Sequence, residues 1–278
     1  KQTDLMAVVK ADAYGHGAIA IAQDALQAGA TWLGVATIPE GIELRESGIQ
    51  APILILGATY TPEQIRAIAL WSLQPTLCTP KQALVFAETM ANLPNALPLP
   101  VHLKLDTGMS RLGTDWQSAT EFAQLVDRLP NLSIASIYSH LATAESRDRT
   151  VVNQQQQRFE AAIAQIQAVG ITPPKLHLAN SAGTLTDATL HYDLVRVGLA
   201  LYGLYPAAHL KSVLTLKPVL QVKARITQLK TAMGIDLSPI AKWRSRWLAL
   251  ATQMGFRAIY RTKWARSFKG KLCPKLEP

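Results

Sequence analysis

Five short strings combine residue types suited to amine, acid–base and anion chemistry. The first is AVVKADAYGHG, residues 7–17, where Lys10 closes an apolar run. A lysine at the end of a buried strand is costly unless it is paired, exposed at a rim or used chemically. Desolvation and a neighbouring cation would lower its pKa, as an amine that condenses with a carbonyl requires. From spacing alone an ordinary rim lysine is an equal reading. In KLDTGMSRLG, residues 104–113, Lys104 and Arg111 read by themselves as solvated rim charges. YSHLATAE, residues 138–145, places His140 just past another apolar run, a setting where a histidine is more often structural than catalytic. In HLANSAG, residues 177–183, Asn180 and Ser181 open a helix, either as a plain cap or as a phosphate site. In VRVGLALYG, residues 195–203, Arg196 is embedded in an apolar strand and needs a partner, for which an acceptor nitrogen on a ring would serve. Gly198 beside it permits close approach of a ligand.

What must position these strings is an alternation of short apolar runs with helical patterns, the mark of βα units around a parallel sheet. Eight runs qualify: Leu5–Lys10, Trp32–Ala36, Ile53–Leu56, Leu73–Leu77, Val101–Leu105, Leu132–Ser139, Lys175–Ala179 and Leu194–Val197. The fourth is weak, because Pro75 has no N–H for a ladder. Amphipathic segments between them include Ala18–Ala28, Thr61–Ala69, Pro80–Ala91, Asp115–Leu129 and Val151–Val169. Pro62 and Pro80 suit first-turn positions, each after a threonine able to cap. Eight units closing into an α/β barrel of the (β/α)8 type is the economical reading. A doubly wound open sheet is the alternative, although no Gly-x-Gly-x-x-Gly turn follows the first run. Each string is weak alone, but all five fall at proposed strand ends, where such barrels carry their working groups.

Together AVVKADAYGHG, LKLDTGMSRLG, ANSAG and VRVGLALYG resemble the alanine racemases, from the first barrel strand to the eighth. The resemblance implies a pyridoxal 5'-phosphate (PLP) barrel over residues 1–206 and the start of a β-rich C-terminal domain over 207–234. It also implies a homodimer that interconverts L- and D-alanine and supplies D-alanine for the cell wall, while the cytoplasm is the default that the use of only two cysteines allows. Lys10 would form the Schiff base with PLP and serve as the base for one enantiomer. Tyr14, Ser181, Gly198 and Leu199 would bind the phosphate, with Leu56 and Asn180 also at the cofactor, and Arg196 would face the pyridine nitrogen. Arg111 would lie near the phenolic oxygen and the substrate carboxylate, positioned by Lys104, which is often carbamylated in the family. His140 would orient the opposite base. Arg196 argues against the related decarboxylases, which pair the ring nitrogen with a carboxylate. The AYGHG string and the strand-like alternation of 212–230 argue against a single-domain PLP-homeostasis protein.

The family's second base is a tyrosine in a Gly-Tyr-x-Asp-Gly string, and that string is not in this sequence. Residues 235–278 form an atypical tail that carries the charge imbalance. The formal charge is +9, and residues 241–278 hold 10 basic side chains against Glu277 alone. The codons for Ala251–Ala258 are compatible, read one nucleotide upstream, with Gly-Tyr-Ala-Asp-Gly-Phe-Pro-Arg, so a frameshift is expected. As translated, the chain is expected to be impaired, the other reading being an inactive PLP-binding barrel or pseudogene product. The tail has no nucleic-acid motif or aromatic platform, and no apolar run would span a bilayer. Cys78 and Cys273 form neither a disulfide framework nor metal-ligand spacing, so no metal is expected. A start at Lys1 without methionine suggests that the natural N-terminus lies upstream.

Overall fold

The computed structural model describes residues 3–221. Eight parallel strands are ordered β8-β7-β5-β4-β3-β2-β1-β9. They are β1 (Asp4–Val8), β2 (Trp32–Val35), β3 (Ile53–Ala58), β4 (Gln74–Leu77), β5 (Leu99–Asp106), β7 (Leu132–Tyr138), β8 (Leu176–His177) and β9 (Leu194–Val197). A two-residue strand, β6 (Thr114–Asp115), adds to the end of β5. The outer strands β8 and β9 meet through backbone hydrogen bonds from Asp193 N to Leu176 O and from Arg196 N to Ala179 O, both 3.0 Å. The sheet is therefore a nearly closed (β/α)8 barrel, as its alternating pattern requires.

Around it lie α1 (Lys10–Gly15), α2 (Ala18–Gln27), α3 (Ile38–Glu46), α4 (Pro62–Leu70), α5 (Pro80–Ala91), α6 (Ala119–Asp127), α7 (Thr150–Ala168) and α8 (Ser181–Thr186). The expected caps are present: Thr61 accepts from Gln64 N and Thr79 from Gln82 N, with proline in the first turn of both helices. On α7 the spacing of Val152, Phe159, Ala162, Ile163 and Ile166 makes one buried face. Removing a ring such as Phe159, fully buried, would cost about 3–5 kcal/mol.

Several boundaries differ from expectation for local reasons. Pro75 sits inside β4 between two partners, because the β3–β4 register shifts between Ile55 and Ala58 and spares the ladder there. The seventh run shortens to Leu176–His177, and the segment from Asp115 begins with a 3-10 turn, Trp116–Ser118, before α6. The strand-like alternation of 212–221 forms no strand: after the 3-10 turn Ala208–Ser212 this stretch is irregular, and Val213, Leu214, Val219 and Leu220 are exposed. Alternation makes a strand only where a neighbouring strand accepts its ladder. The rest of the expected β-rich start, the tail 235–278 and Cys273 lie outside the described residues. Among the described residues no helix is long and apolar enough to cross a membrane, and no cluster of potential ligands could hold a metal.

Candidate active site

Lys10 is presented by an unusual backbone. Ala11, Asp12, Ala13 and Tyr14 all have φ between 51° and 56° with ψ of 31–52°, one turn of left-handed helix. For L-residues this costs roughly 1–2 kcal/mol each, so neighbouring groups must hold it. Asp12 does much of the work: its carboxylate accepts from Ala18 N at 2.7 Å, and its carbonyl accepts from His16 N and Gly17 N at 3.0 and 3.1 Å. His16 contacts Ala13 O through Nδ1 and stacks on Tyr202. Glu40 of α3 accepts from Ala11 N at 2.9 Å with one oxygen, and from Ala36 N and Thr37 N at 2.6 and 3.1 Å with the other. One carboxylate thus ties the turn to the end of β2. The turn brings Lys10 and Tyr14 to the wall of a cavity of about 520 Å³ at the carboxyl ends of the strands.

The cavity is strongly electropositive. Burial, then the charge of Arg111, lowers the Lys10 pKa, and Glu40 opposes the shift. Lys104, on β5, is buried and drops to about 8, through burial first and the charge of Arg196 second. Arg111 stands exposed on the loop after β5, which folds back tightly: at Gly113, φ +126°, a Cβ would lie 2.7 Å from Asp106 N. Among the described residues no carboxylate lies in an ion pair with Lys10, Lys104, Arg111 or Arg196.

Arg196, on β9, is 3% exposed. It donates to Ser139 O at 2.7 Å, Leu178 O at 3.1 Å, His177 Nδ1 at 2.9 Å and His140 Nδ1 at 3.2 Å. A guanidinium only donates, so both imidazoles accept at Nδ1 and are neutral. Burial and then Arg196 push His140 down to about 2. Arg196 itself falls to about 10 through burial. The Tyr138 ring carries Arg196 and Lys104 at 5.2 and 5.5 Å from its centroid, and its hydroxyl donates to Thr76 Oγ1, which donates on to Ile55 O. Burial pushes the Tyr138 pKa up, so it stays a phenol.

A serine held by two backbone amides completes the wall. Ser181 Oγ accepts from Gly198 N at 2.9 Å and from Ala200 N at 3.3 Å, which leaves its own proton to donate. Asn180 caps α8 by accepting from Gly183 N at 3.0 Å. A side chain at 198 would put Cβ 2.8 Å from the Tyr14 hydroxyl, so only glycine keeps this space open.

Residues 1–206 match the family described as "Alanine racemase, N-terminal domain". The chain belongs to that family. It is 68% identical over 238 residues to the alanine racemase of Nostoc sp., covering 85% of this chain and 62% of that protein. It is 61% identical to the alanine racemase of Synechocystis sp., covering 83% and 61%. Among solved structures, alanine racemase of Clostridium difficile 630 matches with a TM-score of 0.75 at 31% identity, over 78% of this chain and 60% of that one. The Bacillus anthracis alanine racemase with bound L-Ala-P matches with a TM-score of 0.71 at 32% identity, over 78% and 56%. The chain thus spans about three-fifths of the length of these alanine racemases.

The alanine racemase barrel gathers every residue that the sequence singled out: Lys10, Tyr14, Leu56, Lys104, Arg111, His140, Asn180, Ser181, Arg196, Gly198 and Leu199 all line the one cavity. Tyr138, Glu40, His177 and Gln155 were not foreseen. Gln155, buried on α7, donates to His140 O at 3.0 Å and accepts from Ala142 N at 2.9 Å, which secures the loop carrying His140. Its signal was a glutamine on the apolar face of a helix. Tyr138 and His177 were visible as polar residues inside apolar strands.

Proposed function

We propose that this chain is the cofactor-binding half of a PLP-dependent alanine racemase, built to interconvert L- and D-alanine as a cytoplasmic homodimer completed by a β-rich domain. The observation that carries the reading is the convergence of a pKa-lowered Lys10, a buried Arg196 and the Ser181–Gly198 cradle on one cavity with four cationic side chains. The donor set fits the cofactor. Ser181, Tyr14 and backbone groups around Gly198 and Leu199 would hold its phosphate, with Asn180 and Leu56 beside it. Arg196 would meet the ring nitrogen as a donor, so that nitrogen stays unprotonated. When bound, PLP makes the Cα–H of an amino acid acidic by delocalising the charge left behind.

Lys10 is the attachment point and the base on one face of Cα. Arg111 fits an α-carboxylate at the rim. The depressed pKa of Lys104 supplies the neutral amine that carbamylation requires, and the resulting carboxylate would offset the charge of Arg111. His140, held neutral, would orient a base on the opposite face. No tyrosine of the cavity can be that base: Tyr138 is a buried phenol, and Tyr14 shares the turn that carries Lys10. The expected frameshift near residue 235 accounts for the missing one.

The test is to load the full chain with PLP, reduce it with borohydride and map the label by mass spectrometry, then incubate unreduced protein with each alanine enantiomer in D2O. Label on Lys10 and α-deuterium uptake into one enantiomer, without inversion, support the reading. Label elsewhere overturns it, and racemisation at an ordinary enzyme rate overturns the expectation that this chain is impaired.

A further inference from the structure

Arg196 also ends a chain of polar side chains that crosses the barrel interior away from the cavity. His177 Nε2 lies 2.8 Å from Ser136 Oγ, Ser136 Oγ lies 2.6 Å from His102 Nδ1, and His102 Nε2 lies 2.7 Å from Gln74 Oε1. With the 2.9 Å contact from Arg196 to His177 Nδ1, the path is unbroken across β9, β8, β7, β5 and β4. His102, Ser136 and His177 are fully buried. Branched apolar side chains ordinarily fill this space, so a satisfied polar chain here is a specific expense.

The chain can run in one direction only. Arg196 has donors and no acceptor, so His177 Nδ1 must accept and Nε2 must carry the proton. Ser136 then accepts from His177 and gives its hydroxyl proton to His102 Nδ1. That leaves the His102 proton on Nε2, donated to the Gln74 carbonyl oxygen. Reversing the His177–Ser136 link would bring an N–H of His177 against an N–H of Arg196, and reversing the Ser136–His102 link would leave the buried Ser136 proton without its acceptor. We propose that Gln74, His102 and Ser136 are positioning residues for Arg196: they lock His177 into the tautomer that can receive Arg196, and so hold the guanidinium in the cavity wall.

Packing alone would not do this. Trp32 meets His102 edge-on at 5.5 Å and Tyr138 stacks on His177 at 4.6 Å, which fixes the ring planes without choosing a nitrogen. Burial first, and then the charges of Arg196, of Lys175 just before β8 and of Lys104, with His102, disfavour a second proton on the His177 ring. Burial keeps His102 neutral as well.

Two-bond 15N–1H correlation of the imidazoles in the full chain reads the tautomers directly. The expected parent spectrum shows His102 and His177 neutral with the proton on Nε2, unchanged from pH ~5 to ~8. A proton on Nδ1 of either ring, or titration of either ring in that range, overturns the proposal. Gln74→Glu places a carboxylate at the far end, draws a second proton onto His102 and forces Ser136 to turn. The Ser136 proton then competes with Arg196 for His177, three hydrogen bonds away, which should no longer show Nε2–H as its single form, an Nδ1 proton signal appearing beside it. Gln74→Leu removes the terminal acceptor and should mix the His177 tautomers in the same way. His177 unchanged in both variants means that the chain merely fills space, and also overturns it. The parent spectrum decides if neither variant folds.

Discussion

The two sides of the barrel interior solve the same packing problem in opposite ways. Against β1, β2 and β3, with Leu194 of β9, the space is closed by Met6, Val8, Trp32 and Leu54, an apolar cluster whose one polar side-chain atom is the Trp32 indole nitrogen. Beside β4, β5, β7, β8 and β9 it is filled by Thr76, His102, Lys104, Ser136, Tyr138, His177 and Arg196, every one buried. An apolar wall is tolerant, because its energy scales with area and a similar shape will serve. A polar wall is exacting, because each donor needs its acceptor and a lost partner leaves a buried group unpaired. The exacting side is the one that holds Arg196 at the cavity.

The largest test of this contrast is acid. His102, His140 and His177 have folded pKa values of about 3, about 2 and well below 6.5, all through burial first. Unfolded histidines take up protons as pH falls below 6.5 and the folded ones do not, so stability is full above that value and is lost from there toward about pH 3. Each histidine costs at most about 1.4 kcal/mol per pH unit, and unfolding should take up about three extra protons. Urea unfolding from pH ~7 to ~4 that showed a flat stability would sink the polar side as described.

Next in size, Arg196→Ala strands His177, His140 and two carbonyls, and should cost about 3–5 kcal/mol in urea unfolding together with PLP binding. On the other side, Leu54→Ala should cost about 2–4 kcal/mol by the cavity it leaves and alter PLP affinity little. An equal loss of affinity in both variants would erase the contrast. The smallest effect is Glu40→Gln, which weakens the hydrogen bonds to Ala11, Ala36 and Thr37. It should cost about 1–2 kcal/mol and, by removing the one charge that raises it, lower the Lys10 pKa further. An increase in that pKa, read from the pH dependence of amine labelling at Lys10, would contradict the placement of Glu40.

Much of this was legible beforehand. Eight runs became eight barrel strands because parallel strands covered by helices must be apolar, and such runs stand out. Lys10, Ser181 and Arg196 were legible for the converse reason, since a charge or a cap at the end of an apolar run is conspicuous. The left-handed turn was not, because Ala11, Ala13 and Tyr14 have no local preference for it and aspartate adopts it only as a single residue. It exists because Asp12, His16 and Glu40 close on it from three directions. The alternation of 212–221 misled, because a period of two describes a strand only when something pairs with it.

By itself the sequence determined the barrel, the family and the residues around the cavity, since each depends on local pattern or on contiguous strings. Only the tertiary structure decided which buried polar groups meet. Gln74, His102, Ser136, His177 and Arg196 stand on five different strands, and nothing in any one strand says which of the others it will meet. Barrel closure alone brings them within hydrogen-bonding distance, and the inability of Arg196 to accept, with the need of each buried proton for an acceptor, sets the direction of the chain between them.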